Sequence, residues 1–279
     1  MDSAASEKSI IALDHWLQSP AGAYVAAFEQ ACLDELTADI FGFNAVQIGV
    51  PQLDALAASR MPNQWQAATR TGSAGASAST GASTNTSTST STGTSTSELA
   101  LAGGKRQIAV ALDFAELPFA TASLDLVVLP HVLEFAAEPH QVLREVERVL
   151  IPEGQVIICG FNPASLWGMR QGFGRFTSGG YLPAAGEFIS LPRLKDWLKL
   201  LNLGVSNSHF GCYAPPFRTA QWLQRFAMME GAGQRWWPYL GAVYIVHAIK
   251  RVKGMHLIGP AWNKKSSRAR QAVPATNRE

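Results

Sequence analysis

The sequence has few of the residues that form disulfides or metal sites, and little net charge. Its only cysteines, Cys32, Cys159 and Cys212, lie far apart and form no C-x-x-C pair, which argues against a disulfide framework and against a zinc site. The six histidines include no pair spaced for one helix face, so we expect no metal. A net charge of +2 gives the chain no strong overall attraction to polyanions.

The sequence also lacks long hydrophobic runs. No stretch approaches the ~18 uninterrupted apolar residues of a membrane-spanning helix. The N-terminus, MDSAASEKSI, has neither the basic nor the apolar region of a secretion signal. We therefore predict a cytoplasmic protein without a membrane span.

The hydrophobic fraction is large, at 47% against 16% charged residues, and is enough for one sizeable α/β domain. Leu124–Leu129 and Gln155–Gly160 are short apolar runs typical of strands buried on both faces of a parallel sheet. Between them, a helix is predicted to begin at Pro139 and to end before Gly154. The order strand, helix, strand predicts half of a nucleotide-cofactor domain.

A family resemblance appears in the same stretch. Asp113 is followed by AELPF, then SLDLVV, HVLEF and REVERVLIPEGQVII. This block resembles the third to fifth strands of class I S-adenosylmethionine-dependent methyltransferases, in particular the type 11 subgroup that includes the ubiquinone and menaquinone biosynthetic enzymes. The resemblance implies a Rossmann-like α/β sheet with helices on both faces. It also implies S-adenosylmethionine as cofactor and methyl transfer by direct displacement.

Further strands are predicted on either side of this block. Asn44–Val50 and Gln107–Asp113 are candidates before it, and Val205–Tyr213 and Ala242–Val252 are candidates after it. The resemblance implies that the last two form an antiparallel pair at one edge of the sheet.

The first half of the predicted sheet is abbreviated. Residues 71–97 are almost wholly Ser, Thr, Gly and Ala, a composition that predicts a disordered insertion. Without them, the distance from Gly49 to Asp113 leaves scant room for two helices and a second strand. The predicted organisation is an N-terminal helical segment (1–40), a methyltransferase-like domain (41–253) that contains the insertion, and a basic C-terminal tail (254–279).

Candidate site residues lie where the strands end. Ligands of open α/β sheets bind beyond the carboxyl ends of the strands, near the point where the strand order reverses. The resemblance assigns Asp113 to the adenine amino group and the backbone of Phe114 to the ring nitrogen, and a carboxylate suits an amino group because it only accepts hydrogen bonds. The candidate cofactor-binding residues are Gly49, Val50, Asp113, Phe114, Leu129 and Pro130.

His131 follows the fourth strand and is the candidate catalytic residue. A neutral imidazole can remove a proton from an attacking hydroxyl or amine. The alternative is that His131 has no catalytic role, because in-line positioning supplies most of the rate in many such enzymes. Glu134 is expected to orient a helix end or the substrate, and the resemblance gives Asp125 a structural part.

The turn after the first strand departs from the family pattern. The family has a glycine-rich turn resembling D-x-G-x-G-x-G, whereas this chain has QIGVPQL, in which Gly49 is the one glycine and Pro51 lacks an amide donor. Two hypotheses stay open. The chain is a methyltransferase of unknown acceptor, with a small molecule favoured, or a non-catalytic methyltransferase-like scaffold that binds or regulates a partner. Nucleic-acid binding through the basic tail ranks last.

Overall fold

A computed structural model of the chain places its elements in one sheet with flanking helices. Asp113, the insertion at 71–97 and the tail at 254–279 fall outside the described residues, so the predictions made for them stay predictions. The structure describes residues 12–13, 15–68, 108–111, 114, 116–174, 181–183, 186–217, 219–226 and 228–252.

Seven strands form the sheet, in the order β3-β2-β1-β4-β5-β7-β6. The first five in sequence run parallel, while β7 is antiparallel to both β5 and β6, as predicted for the last pair. The strands are β1 (Asn44–Ile48), β2 (Asn63–Ala68), β3 (Ile108–Ala111), β4 (Leu124–Pro130), β5 (Leu150–Phe161), β6 (Leu203–Gly211) and β7 (Val243–Lys250).

The helices follow the chain on either side of these strands. None of them, within the described ranges, has the length and apolar character needed to cross a membrane. They are α1 (Pro20–Ala38), α2 (Val132–Phe135), α3 (Pro139–Val149), α4 (Leu166–Gly174), α5 (Leu191–Leu200), α6 (Ala220–Arg225), α7 (Met229–Trp236) and a 3-10 turn (Pro238–Leu240).

A second strand is present, although the sequence leaves scant room for one. Asn63–Ala68 forms β2, which lies parallel between β1 and β3. Its sequence, NQWQAA, is too polar to be recognised as a buried strand, yet its backbone completes the sheet. The described residues between β1 and β2 form turns without a helix, so the abbreviation of the first half applies to this connection.

The other predicted strands, within the central block and on either side of it, are confirmed, and the largest shift in their bounds is at the start of β5. β5 begins at Leu150 rather than at Gln155, because Leu150 already pairs with Leu124 of β4. The ladder then shifts register between Leu124 and Leu126, and Glu153 in the extra stretch adopts a positive φ of 63°. A proline and a glycine in that stretch therefore interrupt the ladder without ending the strand.

Both faces of the sheet are covered. Alternate residues of β4 point to opposite sides: Val127 and Leu129 belong to one buried cluster and Leu126 and Val128 to another. Helices α3 and α5 contribute to the first cluster, whereas Leu33 of α1 packs in the second. The prediction of helices on both faces of a Rossmann-like sheet is confirmed.

The strand order reverses between β1 and β4. From β1 the chain proceeds outward through β2 and β3, and from β4 it proceeds the other way. The carboxyl ends of β1 and β4 therefore form the point where ligands bind in open α/β folds. At the opposite end of the strands, Asp125 accepts hydrogen bonds from the backbone N–H groups of Phe43 and Asn44, at 3.0 and 2.9 Å. This contact agrees with the structural part expected of Asp125.

Candidate functional site

Gly49 directly follows β1 and lies against the end of β4. Its φ of +109° is one that side-chain-bearing residues rarely adopt. A Cβ atom at this position would lie 2.6 Å from Cγ2 of Val132 and 3.2 Å from the carbonyl oxygen of Pro130. The glycine is therefore needed for close packing between the two strand ends.

The loop after β1 is held by a glutamine side chain from the strand itself. The amide nitrogen of Gln47 donates to the carbonyl oxygens of Val50 and Leu53, at 2.9 and 2.6 Å. Its amide oxygen accepts from the N–H of Ala55 at 2.9 Å. Because Gln47 is buried, these three bonds satisfy backbone groups that water does not reach.

A second glutamine supports the same loop from α1. Gln30 donates to the carbonyl oxygen of Asp54 at 2.9 Å and accepts from its N–H at 3.2 Å. In the methyltransferases that the sequence resembles, the glycine-rich turn presents its amides to the cofactor. Here, two glutamine side chains bond to the turn that replaces it.

The end of β4 carries a buried charged cluster, which we call the buried triad: Glu29, His131 and Glu134. Nε2 of His131 lies 2.8 Å from Oε1 of Glu29, and Nδ1 lies 2.9 Å from Oε2 of Glu134. The other oxygen of Glu134 accepts a hydrogen bond from the backbone N–H of Phe161, whose ring stacks on the imidazole with centroids 4.2 Å apart. The triad thus joins α1 to the ends of β4 and β5.

The triad holds its proton on the imidazole at neutral pH. Burial by itself lowers the pKa of His131, but the charges of Glu29 and Glu134 and their hydrogen bonds raise it to about 10. Burial raises the pKa of Glu134, against the opposing effect of His131. The backbone of His131 is itself unusual, with a φ of 55° in the left-handed region.

A short segment ahead of α1 covers the strand ends. Trp16 packs edge-on against Phe161, with ring centroids 5.4 Å apart, and its indole N–H donates to the carbonyl oxygen of Tyr181 at 2.8 Å. Leu13, in the same segment, is 1% exposed and enters the space above β1 and β4. This segment forms a lid over the crevice.

What remains of the crevice is a cavity of about 10 Å³. Such a volume holds roughly one water molecule, whereas pockets for cofactor-sized ligands measure roughly 300–1,000 Å³. The lining is almost wholly apolar. The lining residues are Leu13, Gly49, Val50, Phe114, Pro130, His131, Val132 and Phe135.

The crevice fits S-adenosylmethionine in position and falls short in volume. It lies at the strand-order reversal and has Gly49 at its wall, as the resemblance implies. In this conformation, Leu13 and Val132 line a cavity of about 10 Å³, which is too small for an adenosyl group. Cofactor binding therefore requires the lid to move.

Five predicted site residues meet at this cavity: Gly49, Val50, Phe114, Pro130 and His131. Leu129 is fully buried behind them and does not line it, and Asp113 lies outside the described residues. Their individual roles stay predictions. In the part of the chain that the structure covers, no three side chains are arranged to hold a metal ion.

Sequence analysis missed Leu13 and Glu29. A signal for Glu29 existed: it follows Val25 by four residues and precedes Leu33 by four, so it lies on the buried stripe of α1. A carboxylate on an apolar stripe indicates a buried partner, because an unpaired charge there is too costly. No comparable signal marks Leu13, which looks like any other apolar residue of the N-terminal segment.

Comparison with known proteins agrees with this geometry. Residues 71–158 match the methyltransferase domain family. The uncharacterized protein YafS of Escherichia coli is 36% identical over 171 residues, which are 61% of this chain and 66% of that protein. The demethylmenaquinone methyltransferase of Clavibacter sepedonicus is 37% identical over 73 residues, 26% of this chain and 30% of that enzyme. The match covers less than two thirds of either relative.

Among solved structures, a methyltransferase of Thermotoga maritima shares the fold. It is described as S-adenosylmethionine-dependent and as a possible histamine N-methyltransferase. The TM-score is 0.54 at 13% identity, over 88% of this chain and 99% of that one. The strand order and this structural similarity show that the chain has the Rossmann-like fold of class I methyltransferases, and residues 71–158 match the methyltransferase domain family.

Proposed function

We propose that the protein is an S-adenosylmethionine-dependent methyltransferase whose cofactor site is closed in the conformation described above. The observation that carries the proposal is the crevice between the ends of β1 and β4, at the point where the strand order reverses. When bound, the cofactor supplies an electrophilic methyl group that the acceptor displaces directly.

The chain's own residues divide into two groups in this proposal. Gly49, Val50 and Phe114 line the wall that faces the predicted adenosyl group, and Asp113 is the expected partner of the adenine amino group. Leu13 and Trp16 belong to the lid, which must withdraw before a cofactor enters. Binding therefore includes the cost of exposing these apolar side chains to water, which lowers the apparent affinity.

Calorimetric titration with S-adenosylmethionine and S-adenosylhomocysteine tests the proposal. We expect saturable binding that Asp113→Ala weakens and that Glu116→Ala, at an exposed carboxylate three residues away, leaves unchanged. Leu13→Ala is expected to strengthen binding, because it removes a side chain from the crevice. Absence of heat at millimolar ligand, for both the natural chain and Leu13→Ala, would reject cofactor binding.

His131 stays the candidate catalytic residue, and its pH profile separates two roles. As a base it must be neutral, and its pKa of about 10 means that turnover would rise steadily toward pH 10. As a positioning residue it stays protonated and turnover is flat across neutral pH. The buried geometry favours positioning, because both ring nitrogens are already bonded to carboxylates.

A non-catalytic scaffold is the second candidate function, and one observation favours it. The turn after β1 has its polar backbone groups bonded to Gln47 and Gln30. A turn satisfied in this way is stable without a cofactor. The same titration separates the two functions, since a scaffold binds neither compound.

The remaining assignments are expectations that accompany the proposal. We expect a small-molecule acceptor rather than nucleic acid, action in the cytoplasm, and the division into residues 1–40, 41–253 and 254–279 given above. The resemblance to quinone-biosynthetic enzymes is the basis for testing lipid-soluble quinol precursors first. Radiolabelled methyl transfer to such acceptors is the direct assay, and transfer to RNA at equal enzyme concentration is its control.

A further inference from the structure

The segment between β6 and β7 exposes an unusual number of large apolar side chains. Six of the twelve exposed large hydrophobic residues in the described chain come from positions 222–240. We call these six the aromatic surface. They are Trp222, Met228, Trp236, Trp237, Tyr239 and Leu240.

The inner side of α7, the helix that bears Trp236, packs closely against the rest of the protein. Gly233 packs so closely on Tyr213 that a Cβ atom there would lie 2.3 Å from the ring. Glu230 accepts hydrogen bonds from the N–H of Tyr213 and the hydroxyl of Tyr24. Because these contacts fix the inner side of the helix, Trp236, which is 71% exposed, is directed into solvent by the fold.

The surrounding charge is positive. Residues 212–242 contain three arginines and one acid, Glu230, whose carboxylate is turned inward. Arg225 lies over the ring of Trp222 at 5.3 Å from its centroid, and Arg235 is exposed beside Trp236. Tryptophan, tyrosine and arginine together are typical of surfaces that lie at the boundary between lipid headgroups and acyl chains.

The sheet topology places this segment at the same edge as the candidate site. Val243 at the start of β7 pairs with Phe161 at the carboxyl end of β5 and with Gly211 at the end of β6. The segment therefore begins and ends at the carboxyl edge. The other pair of highly exposed aromatic residues, Phe41 and Phe43, precedes β1 and lies at the opposite edge.

From these observations we infer that the aromatic surface docks the protein onto an anionic lipid bilayer, with the carboxyl edge of the sheet facing the membrane. The tryptophans and Tyr239 enter the headgroup region, and Arg225 and Arg235 meet the anionic headgroups. An exposed carboxylate within the surface would oppose such docking. No acidic side chain is exposed among the described residues of the segment 212–242. The inference does not depend on methyl transfer, since docking needs no cofactor.

Sedimentation of the full chain with vesicles tests the inference. We expect binding to vesicles of phosphatidylcholine with phosphatidylglycerol, weaker binding to phosphatidylcholine alone, and further weakening by added salt. The double substitution Trp236→Ser, Trp237→Ser should lower the partition coefficient by roughly tenfold or more, because two large apolar side chains no longer enter the bilayer.

Two further variants complete the test. Phe41→Ser with Phe43→Ser removes the same number of exposed aromatic rings from the opposite edge and should leave partitioning unchanged. Arg235→Glu should reduce binding to the anionic vesicles and remove most of its salt dependence. Circular dichroism of each variant verifies folding.

Three outcomes would overturn the inference. One is failure of the natural chain to sediment with anionic vesicles, and another is equal loss from the tryptophan and phenylalanine variants. The third is a self-associated chain in solution that the tryptophan substitutions convert to monomers, which would assign the surface to a second copy of the protein. Light scattering distinguishes this last case.

Discussion

The β1 side and the β4 side of the crevice are held in place by different chemistry. On the β1 side, the neutral amide of Gln47 bonds to three backbone groups of the following loop. On the β4 side, two carboxylates and an imidazolium form the buried triad. Both arrangements satisfy polar groups at buried strand ends, but only the second depends on protonation.

The difference predicts how each side fails. Removal of a neutral amide lowers the free energy of unfolding because its buried partners are left without hydrogen bonds. A buried charge that loses its partner costs more, because the remaining charge is left in a medium of low polarity. Substitutions on the two sides should therefore differ in size and in pH dependence.

Substitution of His131 should have the largest effect. His131→Gln leaves Glu29 and Glu134 facing each other without a cation, and Oε2 of Glu29 already has no hydrogen-bond partner. We expect a loss of about 4 kcal/mol in the free energy of unfolding at pH 7. Urea denaturation measures it.

The control for this change is His140→Gln, at an exposed histidine of α3 that contacts Trp197. It should change stability by less than about 0.5 kcal/mol. A similar loss in the two variants would show that the triad contributes nothing beyond an ordinary histidine.

Gln47→Ala should have the next largest effect, about 3 kcal/mol. It removes partners from two buried carbonyl groups and one N–H group, and it leaves a small cavity. Gln64→Ala, which removes a half-buried amide that bonds to two carbonyl groups nearby, serves as its control, with an expected loss of about 1 kcal/mol. Equal losses in the two would contradict the special role given to the β1 loop.

Gly49→Ala, at the boundary of the two sides, should cost about 2 kcal/mol, because φ is positive and the new methyl group meets Val132. Gly172→Ala is the matched control: a Cβ atom there meets nothing within 4 Å, and alanine favours the helix. We expect the control to be neutral or slightly stabilising in thermal denaturation. A destabilised control with an unaffected Gly49→Ala would refute the close packing.

The last prediction is a slope of stability with pH, which is the smallest of these effects when it is counted per pH unit. The pKa of His131 is raised in the folded protein to about 10, above its usual 6.5, so its stabilising contribution is complete below pH 6.5 and is lost as pH rises toward 10. The loss is at most about 1.4 kcal/mol per pH unit.

Denaturation at a series of pH values gives two comparisons. The difference in the free energy of unfolding between the natural chain and His131→Gln should shrink from pH 6.5 to 10. The corresponding difference between the natural chain and Gln47→Ala should stay constant. A difference that stays constant with pH for both variants would contradict a protonated His131 in the buried triad.

Sequence predicted the β4 side better than the β1 side. Leu124–Leu129 is apolar except at Asp125 and is bounded by turns, so its strand was evident, and His131 was placed at the site by its position after that strand. β2, with glutamines at two of its six positions, gave no such pattern. Its place in the sheet comes from backbone pairing with β1, which side-chain periodicity does not report.

The closure of the crevice could not be predicted. It depends on Leu13, more than thirty positions before Gly49, and on side-chain contacts between segments that sequence spacing does not bring together. The loss of the glycine pattern at Val50 and Pro51 did indicate an altered turn. It did not indicate that Gln47, one of the residues of β1, would take over the bonds of that turn.

The bond between Glu29 and His131 spans 102 positions of the chain. During synthesis, the helix that bears Glu29 leaves the ribosome long before its partner does. Until then, its apolar stripe carries a carboxylate that resists removal from water, and early docking is disfavoured. The N-terminal helix therefore joins the protein late, and a nascent chain stalled before position 131 should keep it accessible to protease.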